Sequence, residues 1–396
     1  MLVIRAARAF DGEHAMPGPV SVFVADGRIV GLEPGEAHVP DGWEVVDHPT
    51  ATILPGLFDL HSHLGGDGRD GALDRLPEYS ATELDAVIED SLRRELAVGV
   101  TVVRDLGDRD WSALRRRDRA PDGRAAPTIL AAGPPITSAG GHCWRFGTQA
   151  GGPEQLRAAV RERAERGADV VKVMGSGGTM TPGTDLMHCQ FTEAELRLIV
   201  EEAHAAGLPV TVHAHNLPAV EQALAAHADG IEHLTCLTER GVRISDDLLD
   251  RLAARGIPVC PTLGTDPDAL PPPAARELLE RIGATREVRL AHVARTHRAG
   301  VRIVSGADSG ISAAKPHGSL PVAVADLVSG GVTATDALAS ATSLAADAVG
   351  LGTRKGRLCA GHDADLLLCE GDPVSHIGAL TAVTAVMVGG TWADLA

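Results

Sequence analysis

The sequence predicts an α/β fold, a (β/α)8 TIM barrel joined to a small β-sandwich domain formed from both chain termini. Three observations predict it. From about residue 55, short β-branched runs alternate with longer amphipathic segments, as repeated βα units on a parallel sheet require. Eight such runs occur, the number that closes the barrel. The two ends of the chain read instead as short strands separated by turn signals.

In order, the runs are GLFDLH (56–61), VTVVRD (100–105), PTILAAG (127–133), DVVKVM (169–174), LPVTVH (208–213), GIEHL (230–234), IPVCPTL (257–263) and VRIVSGAD (301–308). Helices are expected between them. Thr192 with Glu195 reads as a capping box and Gly207-Leu208-Pro209 as a stop, and Thr82 with Asp85 reads as a similar start. VIRAARAF, VSVFVADGRIVGL and WEVVDH precede the barrel, and ADLLLCEG and AVTAVMVGGTWAD follow it. Pairing them assigns 1–54 and 350–396 to one discontinuous β-domain and 55–349 to the barrel. Pro271-Pro272-Pro273 is expected to mark an exposed loop.

A chain of 396 residues, 44% of them hydrophobic, can bury a large core and exceeds one typical domain. Its six cysteines are scattered, with no CxxC pair, which suits a reducing, cytoplasmic location. The N-terminal stretch lacks the cationic, apolar and small-residue order of a signal peptide, and no run reaches about 18 uninterrupted apolar residues. Secretion and membrane insertion are therefore not expected. A formal net charge of −17 argues against nucleic-acid binding, and the basic stretch from Arg115 to Arg119 reads as a solvated helix face. The expected partner is a small-molecule substrate, with a homo-oligomer left open.

The chemistry is concentrated at the ends of the runs. His61 and His63 flank Ser62 where the first run stops, and alternate residues of an extended chain point the same way, so both imidazoles can reach one metal. Lys172, His213, His233 and Asp308 stand toward the ends of the fourth, fifth, sixth and eighth runs. Barrel topology brings those ends to one face. Each residue alone also fits a hydrogen-bonded core histidine or a buried ion pair, whereas together they read as one site. Lys172 lies within VVKVM, where a buried ammonium is costly unless paired or neutralised. Desolvation would lower its pKa, and a neutral amine can capture carbon dioxide as a carbamate able to bridge two metals. A salt bridge to Asp308 or another carboxylate is the competing reading.

GLFDLHSHLGG, ADVVKVMGSGGTMTPGTD, VTVHAHN, GIEHL and SGADSG resemble the metal motifs of the amidohydrolase superfamily. The terminal segments are similar to the split β-domain that accompanies its barrel. The resemblance implies two divalent metal ions, with His61 and His63 on the first and His213 and His233 on the second. It makes Lys172 an N6-carboxylated bridge and Asp308 a further ligand of the first metal. Zinc suits the mixed histidine and carboxylate set. Such metals, about 3.5–4 Å apart, hold a bridging hydroxide whose proton Asp308 would take.

Within the superfamily, KVMGSGGTMTP, QFTEAELRLIVEEAHAAG and VHAHN look most like prolidase-like dipeptidases and carboxypeptidases related to imidazolonepropionase, although imidazolonepropionases lack the bridging lysine. That branch includes peptidases, N-acyl-amino-acid hydrolases and mycotoxin amidases, while TSAGGHCWRFG departs from its GGHGW-type loop. His213 and His215 compete for one ligand position. His213 ends the apolar run and is preferred, leaving His215 to substrate or support. His142 is placed to reach a carbonyl or oxyanion, and Arg145 to clamp a substrate carboxylate. A capping loop histidine and a surface ion pair are the respective alternatives. Gly175-Ser176-Gly177-Gly178 lacks a phosphate-loop pattern and reads as a loop beside the metals, continuing as a lid over Met180 to His188. The expected activity is hydrolysis of an amide bond in a dipeptide or N-acyl amino acid. A deaminase or lactonase on the same scaffold comes second, and a noncatalytic metal-binding barrel third.

Overall fold

The computed structural model describes residues 1–119, 123–266, 268–269 and 273–395. The first seven runs become strands. β1 (Leu57–Ser62), β2 (Val100–Asp105) and β3 (Thr128–Ala131) form a parallel three-stranded sheet. β4 (Val171–Met174), β5 (Val210–Asn216), β6 (Gly230–Thr238) and β7 (Val259–Cys260) lie parallel in a second sheet. Every residue of β1, β2 and β4 is buried, so these strands lack the polar alternation of a solvated sheet, as parallel strands covered on both faces should.

The eighth run, 301–308, is not a regular strand, and the expected ring is organised as two sheets. The run is still hydrogen-bonded on both sides. Val304 N donates to Val259 O at 2.9 Å, Leu60 N to Ser305 O at 3.1 Å and Asp308 N to His61 O at 2.7 Å. Two residues interrupt its ladder. Gly306 packs so closely that an added Cβ would lie 2.6 Å from His61 N, and Asp308 has a left-handed backbone, φ 59°.

Helix Glu193–Ala205 begins at Thr192 with the expected capping box. The earlier helix, Ala81–Ala97, does not start from Thr82 and Asp85. Its cap is Ser80, whose hydroxyl accepts from Glu83 N while Glu83 Oε2 accepts from Ser80 N at 2.8 Å, so two orphan donors are satisfied at once. Arg115, Arg116 and Arg117 fall in helix Ser112–Arg117, and Arg116 and Arg119 pair with Glu89 and Asp85. Pro271 and Pro272 lie outside the described residues, while Pro273 opens helix Pro273–Arg281.

Both termini meet in one eight-stranded mixed sheet. Leu2–Phe10 runs parallel to Glu44–Pro55 and antiparallel to Val20–Ala25, and Leu366–Glu370 adds to the other edge of Glu44–Pro55. Ile4, Val22, Ile53, Leu366 and Leu368 form its apolar cluster. Only Gly56 separates this sheet from β1. A Cβ there would come within 2.2 Å of Thr101 Oγ1, so the connection admits no side chain. All six cysteines are free thiols, and among the described residues no helix is long and apolar enough to cross a membrane.

Candidate active site

Two groups of donors adjoin, the His61 and His233 ring centroids 5.2 Å apart, in the neighbourhood of a buried lysine. In the first, His63 donates through Nδ1 to Gly107 O at 3.0 Å, and its Nε2 lies 3.2 Å from Asp308 Oδ1. His61 Nδ1 bonds Glu232 Oε2 at 2.7 Å, turning Nε2 toward the same Asp308 oxygen at 3.3 Å. Burial alone would raise the Asp308 carboxyl, but the His61 charge, the His63 hydrogen bond and Lys315 hold it below the usual range. His61, His63 and Asp308 can offer their ligand atoms within 4.8 Å of one another.

The second group is His213, His215 and His233, whose ligand atoms also lie within 4.8 Å of one another. His213 donates through Nε2 to Gly177 O at 3.1 Å, so its Nδ1 presents a lone pair to His233 Nε2, 2.8 Å away. His233 is oriented by Thr262 Oγ1, 2.7 Å from Nδ1. His215 stacks on His233 with ring centroids 4.3 Å apart, and its Nδ1 lies 2.9 Å from Thr235 Oγ1. Of the two competing histidines, His213 is the one whose ring nitrogen meets His233. The backbone is left-handed at His233 and Leu234, φ 70° and 43°, which turns the chain just where β6 leaves the sheet's regular pleat.

Lys172 is fully buried, and its Nζ has no hydrogen-bond partner. The salt bridge to Asp308 is not formed. Burial lowers its pKa, while Glu232 and Asp308 oppose the shift, and its charge acts on His61, His142, His213, His215 and His233. A buried nitrogen without a partner, its charge felt by one set of imidazoles with a carboxylate and by a second set of imidazoles, fits a pair of divalent cations bridged through a modified lysine.

Sequence patterns missed the residues that hold this constellation. Glu232 accepts from His61, from Arg104 Nη2 at 2.9 Å and from Thr211 Oγ1 at 2.5 Å, and Arg104 Nε also binds Leu60 O at 2.7 Å. Asp59 accepts from His61 N and Ala307 N, both at 3.1 Å, tying β1 to the eighth run. Lys315 donates to Thr262 O and Ala307 O at 2.7 Å and to Leu263 O at 3.3 Å, and burial brings it down to about 8. The one available signal was the charged residue inside the apolar runs of Asp59, Arg104 and Glu232, and Lys315 had none. Glu232→Gln keeps shape and volume but loses the anion that orients His61. Metal affinity or turnover is expected to fall about 10–100-fold, measured by competitive metal titration. Unchanged affinity and turnover would remove Glu232 from the positioning of His61.

On the substrate side, His142 is buried with its ring 4.7 Å from that of His213 and its Nδ1 2.8 Å from Thr181 Oγ1. A side chain at Gly178 would collide with it, the added Cβ lying 2.3 Å from Nε2. Arg145 is half exposed and is engaged by Asp74 at 3.4 Å and Glu78 at 3.6 Å, the surface ion pair that competes with a clamp. It borders a cavity of about 220 Å3 with Leu73, Trp144, Phe146, Met180 and Thr181. The 176–190 segment is fastened at several points, including Asn216 Nδ2 to Leu186 O at 3.0 Å and Gln190 Nε2 to Ser176 O at 2.8 Å.

Burial, the largest cause in each case, pushes His61 down to about 4 and His142 and His215 down to about 3, and lowers His213 and His233 as well. An unfolded chain protonates these rings near pH 6.5. Below that pH the unfolded state binds more protons, so native stability falls with pH by about 1.4 kcal/mol per unit for each proton. His63 acts in the opposite sense and only above about pH 6.5, because Asp308 raises it against its burial. Chelated protein is therefore expected to unfold at clearly lower urea at pH 5 than at pH 7. Equal midpoints would contradict neutral, buried rings.

Residues 52–393 match the family model described as Amidohydrolase family. An ochratoxinase of Aspergillus niger is 26% identical over 426 aligned residues, spanning 96% of this chain and 83% of that protein. An uncharacterised protein of Mycobacterium tuberculosis is 31% identical over 336 residues, 81% of this chain and 79% of its own. Among solved structures, a Xaa-Pro dipeptidase with methionine bound in its active site superposes with a TM-score of 0.87 at 26% identity, covering 99% of both chains. The family match runs through all the runs that carry the clustered histidines, Lys172 and Asp308, and the chain thus belongs to the amidohydrolase family of hydrolases.

Proposed function

We propose that this hydrolase cleaves the amide bond of a small substrate, a dipeptide or an N-acyl amino acid, at a centre of two divalent cations, most simply zinc. His61, His63 and Asp308 would hold one cation, His213 and His233 the other, with N6-carboxylated Lys172 between them. The observation that carries this reading is the partnerless, buried Nζ of Lys172, whose charge acts on histidines of both donor groups. The Xaa-Pro dipeptidase and the ochratoxinase among its relatives support it. The same reading takes the two sheets and the 301–308 run as one (β/α)8 barrel spanning 55–349. It takes the terminal strands as a separate β-domain that folds over into a sandwich.

Divalent cations bound there would supply Lewis acidity and lower the pKa of an attacking water. Asp308, ionised and facing both histidines of its group, takes the proton of that water and returns it to the departing nitrogen. His142 directs a neutral ring toward the carbonyl oxygen, and Thr181 fixes its tautomer. His215 flanks the same space as a substrate contact. The test is hydrolysis of a library of dipeptides and N-acyl amino acids by metal-loaded enzyme, with products identified by mass. Release of free amino acid is the expected result. Ammonia as the sole product would favour deamination, and no product from any class would leave a metal-binding barrel.

A further inference from the structure

Helix Arg286–Arg298 follows the seventh run and is capped by Thr285, whose hydroxyl accepts from Val288 N. Arg286, Arg289 and His292 are spaced by three and so share one face of it. Arg286 is tied to Asp326, whose Oδ2 accepts from Gly264 N at 3.0 Å in the loop that leaves β7. His292 donates through Nε2 to Leu234 O at 2.8 Å, the residue after His233. Both ends of this face are thereby fixed, one to the middle of β6 beside His233 and the other to the loop that leaves β7. Arg289 stands between them on this face and is half-buried. Its charge acts on Asp308, His215 and Lys315.

Arg286 and Arg295 of the same helix hold Asp326 and Asp246. Among the described residues, the Arg289 guanidinium has neither an ion pair nor a hydrogen bond. A guanidinium carries five donors in a planar fork that matches a carboxylate, and leaving it half removed from water with none of them used is costly. Among the described residues this positive charge has no ion-pair partner and is met only at longer range by the carboxylates of Asp326 and Asp308, whereas Arg145 is already answered by Asp74 and Glu78.

We propose that Arg289 binds a carboxylate on the amine side of the scissile amide, the α-carboxylate or a side-chain carboxylate of the leaving amino acid. This rests on the amide-hydrolase reading above and gives the substrate a direction. The anionic end lies at the rim of β6 and β7, and the acyl group lies across the site toward the cavity of Leu73, Trp144, Phe146 and Met180.

The probes are N-acetyl-L-glutamate, N-acetyl-L-glutamine, N-acetyl-L-leucine and N-acetyl-L-leucinamide, assayed for turnover and, by calorimetry, for binding to wild type, Arg289→Gln and Arg289→Lys. Arg289→Gln is expected to raise KM and Kd for the acids by about 30-fold or more while kcat changes little, with Arg289→Lys in between. Equal losses for all three acids, with leucinamide already weak and unaffected, assign the α-carboxylate. A loss confined to glutamate assigns the side chain. Acids that bind through Arg289 without being cleaved would sink the amide-hydrolase reading and keep this one. Acids that do not bind, or bind equally to Arg289→Gln, overturn it.

Discussion

Lys172→Met is expected to give a folded protein that has lost tight binding of at least one divalent cation and more than about 100-fold in turnover, beyond the usual effect of outer positioning partners. The argument rests on two costs. Lys172 keeps a fully buried nitrogen without a hydrogen bond, so an unmodified lysine there destabilises the fold. Methionine retains the apolar stem among Val170, Val171, Val173 and Met174 and removes that nitrogen, so stability should hold or rise. Loss of function therefore cannot be assigned to unfolding, which a melting curve checks directly. Metal counted by elemental analysis should fall below two per chain. Two tight cations with wild-type turnover in Lys172→Met would end the carbamate model, though a single-metal site on His61, His63 and Asp308 would survive.

Asp308→Asn is expected to lower kcat by about 10²–10⁴-fold, the range of a general acid or base, with a smaller effect on KM. Asparagine is nearly the same size and is one of the few residues at ease in a left-handed backbone, so φ 59° is no obstacle. What it lacks is the capacity to take a proton. Lys315 and Asp59 hold Ala307 from two sides, by Nζ to O at 2.7 Å and by N to Oδ1 at 3.1 Å, which keeps the substituted side chain in place. The amide nitrogen introduced by the substitution would also face His61 and His63, so weaker binding of one cation accompanies the loss. Near-wild-type kcat would show that the proton travels by another group.

The parts legible in the sequence are those encoded by pattern. Apolar, β-branched runs such as VTVVRD and LPVTVH mark strands because parallel strands are buried on both faces. The eighth run misled because Gly306 and Asp308 serve close packing and a left-handed turn, which a hydrophobic run does not reveal. Ser80 and Thr82 both precede an acidic residue by three, and only the chain's entry angle decides which becomes the cap. Histidines of one site were legible because topology sends all strand ends to one face. Glu232, Arg104, Lys315 and Arg289 were not, since each is a single polar residue whose partner lies on another element, far away in sequence.

The left-handed backbone at His233 and Asp308 has a consequence for how such a chain drifts. Glycine would relax the backbone at both positions, and under the function proposed above each relaxation would also delete a metal ligand. Selection for heat resistance alone therefore points away from catalysis at these two residues. A thermostable descendant carrying glycine at either position should be read as a retired enzyme.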